Sequence, residues 1–178
     1  PPWRVYSEQV SLILIKCEVT AMIFNPKVTE KRQGSFVLPK NANAVAHPCL
    51  DKSVIHEFWH NFTFNASILS LTHSDELIFK IGNTPKVELE EFDYSINIDS
   101  DGVCVYAKSE RDLIYGFMTL LDRIEAEDVN DATVAILDCA VIKDLPTIRN
   151  RMVHFCIFPE TELWEIQRFI RLCGALKF

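Results

Sequence analysis

Residues 54–62 read Val-Ile-His-Glu-Phe-Trp-His-Asn-Phe, and inside them His56, Glu57 and His60 match the spacing H-E-x-x-H. Two imidazoles four residues apart on a helix can hold one zinc ion, and the glutamate between them can activate its bound water. The helix that would carry them argues otherwise. At about 100° per residue, Val54, Ile55, Phe58, Trp59 and Phe62 fall within an arc of roughly 140° and form the packing face. His56, Glu57 and His60 lie on the opposite side. The extended signature also requires glycine at 63 and histidine at 66, where Thr63 and Ala66 stand. A zinc metalloprotease is therefore the third-ranked reading, and no metal or cofactor is expected.

The other residue types able to do chemistry are scattered. The chain has six cysteines, Cys17, Cys49, Cys104, Cys139, Cys156 and Cys173. No two show a C-x-x-C spacing, and free buried thiols are expected. Asp75-Glu76 heads a predicted strand and Glu90-Glu91 is a charge run; both read as solvated surface. His47, His73 and His154 read as surface or ordinary core histidines. Asn61-Phe62-Thr63 and Asn65-Ala66-Ser67 are formal glycosylation sequons, which matter only in a secretory host.

With 178 residues, 48% of them hydrophobic and 24% charged, the chain has the composition of an ordinary globular protein. A net charge of −7 without a basic cluster argues against a nucleic-acid partner. No run approaches the ~18 apolar residues of a membrane span. The sequence opens on Pro1-Pro2-Trp3 and assigns no compartment.

The elements that would position any site follow from periodicity. An N-terminal β segment ends in the charged run Thr29–Gln33, and Gly34 opens a short strand at 35–38. A helix is predicted from Asp51 to Phe62 and a strand at 76–81. Tyr94, Ile96 and Ile98 alternate with polar residues, as do Val103, Val105 and Ala107, and Ser100-Asp101-Gly102 supplies a hairpin turn. Ser109-Glu110-Arg111-Asp112 is a capping box opening a helix with Leu113, Phe117, Leu120, Leu121 and Ile124 on its buried face. Gly116 inside that helix predicts a close approach to the sheet. A long strand is predicted from Ala132 to Ile142. Beyond it lie an apolar strand at 152–158, a helix capped by Thr161 and stopped by Gly174, and the start of another strand at Ala175. Strand, helix, strand is a parallel βαβ unit, and one βα unit alone cannot bury both faces. The chain is thus expected to stop inside a larger α/β domain.

The strings Tyr94-x-Ile96-x-Ile98, Gly102-Val103-x-Val105-x-Ala107 and Tyr115-Gly116-x-x-Thr119-Leu120 resemble the non-catalytic N-terminal domain of glycoside hydrolase family 20, the β-N-acetylhexosaminidases. In that family an aspartate-x-proline segment leads to an arginine on the first strand of a (β/α)₈ barrel, and Asp144-Leu145-Pro146 followed by Arg151 fits the spacing. The chain departs from the pattern at Asp112, Met152, Cys156 and Pro159. The resemblance implies an α+β fold, a two-layer antiparallel or mixed sheet with two helices on one face, followed by the truncated first βα unit of the barrel. The resemblance covers roughly residues 35–178 and implies an accessory domain at 35–146 and the start of the barrel at 147–178; the N-terminal β extension at 1–34 that precedes them is read from the residues alone.

The function so implied is that of the non-catalytic N-terminal portion of a glycoside hydrolase acting on N-acetylhexosamine-type glycosides. The catalytic Asp-Glu pair would lie beyond Phe178, so no catalytic residue is expected in this chain. The resemblance makes Arg151 the candidate substrate-binding residue, because a rigid guanidinium suits sugar hydroxyls; the bland alternative is a pairing with a carboxylate at the domain junction, for instance Asp144. The partner is a carbohydrate, met through the barrel. The second-ranked reading is a carbohydrate- or protein-binding module without hydrolase activity.

Overall fold

A computed structural model of the protein describes residues 24–39, 43–50, 67–71, 76–129 and 132–178. The helix predicted at 51–62, and with it His56, Glu57 and His60, lies outside the described residues, as do Cys17, His73 and Asp75.

The fold is α+β. Its strands are β1 (Val28–Val37), β2 (Asn43–Ala46), β3 (Ser67–Leu71), β4 (Ile78–Gly82), β5 (Tyr94–Asp99), β6 (Gly102–Ala107), β7 (Glu125–Val129) and β8 (Ala132–Asp144). Two helices are described, α1 (Glu110–Leu121) and α2 (Leu163–Ala175). The strands form one sheet in the order β1-β8-β5-β6-β4-β2-β3. All pairings are antiparallel except β2 with β3. The 13-residue β8 is the spine: Ala132–Ile136 pairs with β7, Ala140–Asp144 with β5, and β1 runs along its other edge.

The hairpin forms as the alternation predicts, with Ile96 opposite Val105 and Ile98 opposite Val103. Tyr94, Ile96, Ile98, Val103, Val105 and Ala107 are all buried and turn toward α1. Ser109 caps α1, its hydroxyl accepting from the Asp112 amide at 3.3 Å. Leu113, Phe117 and Leu120 are buried completely, and Phe117 meets Phe79 of β4 edge-on at 4.9 Å. Gly116 explains how closely the helix lies. A Cβ there would stand 2.6 Å from Val105 Cγ1 and 3.1 Å from Tyr94 Cδ2, so the approach is to side chains of the sheet. At the far end of the hairpin, Gly82 has φ 74°, and a Cβ would meet the Asp101 carbonyl oxygen at 2.2 Å.

The polar residues alternating with that core are buried too. Ser95 donates to the Val87 carbonyl at 2.8 Å, and Asn97 donates to the Pro85 carbonyl at 3.0 Å. The non-strand segment 84–89 crosses the second face of the sheet, and these side chains satisfy its backbone.

Several boundaries differ from expectation. The charged run is not a turn before a strand: Val28–Val37 is a single strand, broken in register between Lys31 and Ser35. Its charges are exposed at the end of the sheet order, where they discourage edge-to-edge pairing. The apolar stretch 152–158 carries no strand, because no described strand lies beside it to complete a ladder. Glu162 rather than Thr161 caps α2, since the Thr161 hydroxyl is engaged by the Phe158 amide at 2.9 Å.

Gly174 does not stop α2, and no strand begins at Ala175. The helix closes in a Schellman motif, with Phe178 N–H bonded to Cys173 O at 2.9 Å and Lys177 N–H to Gly174 O at 3.1 Å. Lys177 occupies the left-handed position, φ 62°, where glycine is usual.

Candidate functional site

Arg151 is half-buried, and its guanidinium lies over the ring of Tyr115, 5.0 Å from the centroid. Tyr115 is fixed by α1, whose first turn also brings Arg111 to 5.9 Å from the same ring. Arg111 pairs with the buried Asp112 at 3.3 Å. Asp144 accepts from other donors: its carboxylate takes the Tyr94 hydroxyl at 2.8 Å and the Lys27 amide at 3.2 Å. Of the junction carboxylates, Asp144 is thus engaged by Tyr94 and Lys27, and the described contact of Arg151 is aromatic.

Beside this junction lies a buried polar cluster. The Lys177 ammonium donates to the hydroxyls of Thr119 and Tyr94, the latter at 3.1 Å. Those two hydroxyls are 2.7 Å apart, and Thr119 also bonds the Tyr115 carbonyl at 3.1 Å. The Phe24 ring closes the cluster, 3.9 Å from Lys177 Nζ. Phe24 is itself tied down, its amide donating to Asp122 at 2.9 Å and its carbonyl accepting from Arg123 at 3.2 Å. The cluster thus gathers α1, β5, the end of β8, the N-terminal segment and the end of α2 around one ammonium. Burial lowers Lys177 to about 8, against the upward pull of Asp144 and Asp122 and with the help of Arg151 and Arg123. Burial likewise pushes the Tyr94 hydroxyl well above the ordinary tyrosine range.

Sequence reasoning missed Lys177 and Phe24 altogether. It quoted Tyr94, Thr119 and Asp144 as pieces of a pattern without seeing that they meet. The signal was the spacing of polar residues within apolar faces: Tyr94 begins a core strand, and Thr119 lies on the buried stripe of α1. A lysine in Leu-Lys-Phe gives no comparable sign.

The remaining residues singled out in the sequence do not converge. Glu76 is exposed and paired with Lys86, and Glu90 pairs with Lys143 at 2.8 Å. The Cys49 amide donates to His47 Nδ1 at 3.3 Å, and exposed His154 contacts Cys156 Sγ at 3.4 Å. Among the described residues the five cysteines are free. Cys104 and Cys139 are buried, as expected, whereas Cys156 is exposed. Burial raises Cys104 to about 11. No group of three or more His, Cys, Asp or Glu among the described residues could hold a metal ion.

The C-terminal part presents a surface of another kind. Among the described residues, every exposed large hydrophobic except Val37 lies between Ile148 and Phe178, including Met152 (93% exposed), Leu163 (68%) and Ile170 (64%). Phe155 stacks on Phe169 at 4.3 Å. Together with Cys156, Trp164, Arg168 and Leu172 they line an open cleft of about 370 Å³. No described helix is long and apolar enough to cross a membrane.

Fold and surface together define a class: an α+β sheet with one helix packed on its core face and a second helix that leaves its apolar side uncovered. The fold of the chain is similar to part of a solved structure, an exo-β-N-acetylglucosaminidase of glycoside hydrolase family 20 from Vibrio harveyi in complex with N-acetylglucosamine. An inactive variant of the same enzyme matches equally. The TM-scores are 0.58 and 0.59 at 18% identity, over 86% of this chain and 24% of the neighbour's. The likeness is one of fold, and the chain spans about a quarter of the enzyme's length. No family model matches the chain, and no curated protein matches it.

Proposed function

We propose that this chain is the N-terminal, non-catalytic portion of a glycoside hydrolase acting on N-acetylhexosamine-type glycosides. Residues 35–146 would form the accessory domain and 1–34 its β extension, continuous with it through β1; 147–178 would open the catalytic barrel, with 152–158 becoming its first strand only beside further barrel strands. The observation that carries this reading is the concentration of exposed large hydrophobics in 148–178. A helix with an uncovered apolar stripe is built to pack against further elements, and a barrel would supply them. The sheet domain would then brace the barrel. Arg151 would turn its fixed donors toward sugar hydroxyls.

The purified chain incubated with a chromogenic N-acetylglucosaminide should release no chromophore. Appreciable turnover would place the chemistry inside these residues and refute the proposal.

A second reading, a binding module without hydrolase activity, draws support from the open cleft. Trp164 is 52% exposed there, beside the charged Glu165 and Arg168. An aromatic face flanked by charged groups suits a sugar ring. Saturable binding of an N-acetylglucosamine oligomer, lost in Trp164→Ala, by a protein whose full reading frame never hydrolyses it would favour this reading.

A further inference from the structure

We propose that Lys177 is a pH-responsive latch: its buried amine, clasped by Tyr94, Thr119 and Phe24, sets how tightly the C-terminal end of α2 docks on the sheet. Three features converge on this one residue. It is 7% exposed, although lysine is among the residues least often buried. Its backbone takes a left-handed conformation that L side chains rarely adopt. Its amine reaches hydroxyls on two different elements, β5 and α1, and sits against a ring from the N-terminal segment. A disfavoured backbone and a buried ammonium persist together only where the surroundings hold them.

The charged groups that act on the amine come from the end of β8, the residues just after α1 and the segment before α2; β5 and the Phe24 segment contribute a hydroxyl and a ring. Asp144 at the end of β8 is reached through the Tyr94 hydroxyl, and Asp122 follows α1; both favour the ammonium. Arg151 and Arg123 oppose it, and burial opposes it most. An undocked Lys177 returns to its ordinary value of 10.5, whereas the docked residue titrates near 8. The sign follows. Between about pH 8 and 10.5 the undocked state binds more protons, so docking strengthens as pH rises through this window. Below it the docked ammonium bears its full desolvation cost. The neutral amine still donates to Thr119 and Tyr94 while shedding that cost. The Tyr94 hydroxyl keeps its proton throughout, because burial raises it further.

Site-resolved hydrogen exchange, corrected for intrinsic rates, reads the latch directly at the amides of Leu176, Lys177 and Phe178. Their protection should rise about tenfold from pH 7 to pH 9, as follows from the two lysine values. The hairpin amides of β5 and β6 serve as the reference for global stability. Lys177→Met and Lys177→Arg should both abolish the rise, the first for want of a titrating group, the second because its charge persists. Using two variants keeps the test decisive if one misfolds. Flat protection in the wild type, a fall with pH, or a rise that survives either folded variant would overturn the latch.

Discussion

Tyr94 hydroxyl is the residue on which the polar cluster turns, since it accepts from Lys177 and donates to Asp144. Tyr94→Phe keeps the ring and removes the bridge, leaving a buried ammonium with one hydroxyl fewer. We expect a loss of about 1–3 kcal/mol in urea unfolding, the usual cost of orphaning buried polar partners. A change below the measurement error would mean that water replaces the bridge. Gly116 tests packing at the same scale. Gly116→Ala gains about 1 kcal/mol of helix propensity but sets a methyl 2.6 Å from Val105 Cγ1. Overpacking at about 1–3 kcal/mol should outweigh the gain and lower the unfolding midpoint. The thiols form a third test. Exposed Cys156 should react with an aromatic disulfide reagent in the native protein, while Cys104, buried and raised to about 11, should react only on unfolding.

At the scale of elements, α1 depends on its cap. Ser109→Ala removes the acceptor for the Asp112 amide and should cost about 1 kcal/mol, read as a lower denaturation midpoint with an unchanged slope. That helix and the hairpin before it were legible because their signals are local: alternation at 94–107, a turn at Ser100-Asp101, and a hydroxyl three residues ahead of Asp112. Other elements were not. The four-residue β2 shows no period of its own, and β7 reads Glu-Ala-Glu-Asp-Val, an acidic string that becomes a strand only beside β8. The stretch 152–158 has the composition of a strand but no described partner, and composition does not make a ladder. The Schellman closure carries no glycine at its left-handed position, Lys177, to signal it, and Gly174 lies three residues earlier inside the helix. The site was legible in part. Tyr94, Thr119 and Asp144 stood out in the sequence, yet a burial as unusual as that of Lys177 is set by tertiary contacts that no local pattern encodes.

At the scale of the molecule, apolar burial is uneven. The sheet buries α1 on one face and is crossed by 84–89 on the other, while 148–178 leaves Met152, Phe158, Leu163, Trp164 and Ile170 in water. Exposed apolar area on this scale drives association. Ile170→Glu with Leu163→Lys should therefore reduce self-association in sedimentation at high concentration without lowering the unfolding midpoint of the sheet. Equal association by the variant would assign the contact to another surface. The central claim is that these residues brace and begin a glycosidase barrel. Its most direct test is hydrolysis of a chromogenic N-acetylglucosaminide by the product of the complete open reading frame, compared with its Arg151→Ala form. The account predicts turnover by the first and a loss on the order of a hundredfold or more in kcat/KM for the second, about 3 kcal/mol of transition-state binding. A complete product that binds the sugar but never cleaves it, or an Arg151→Ala form as active as its parent, would contradict the account.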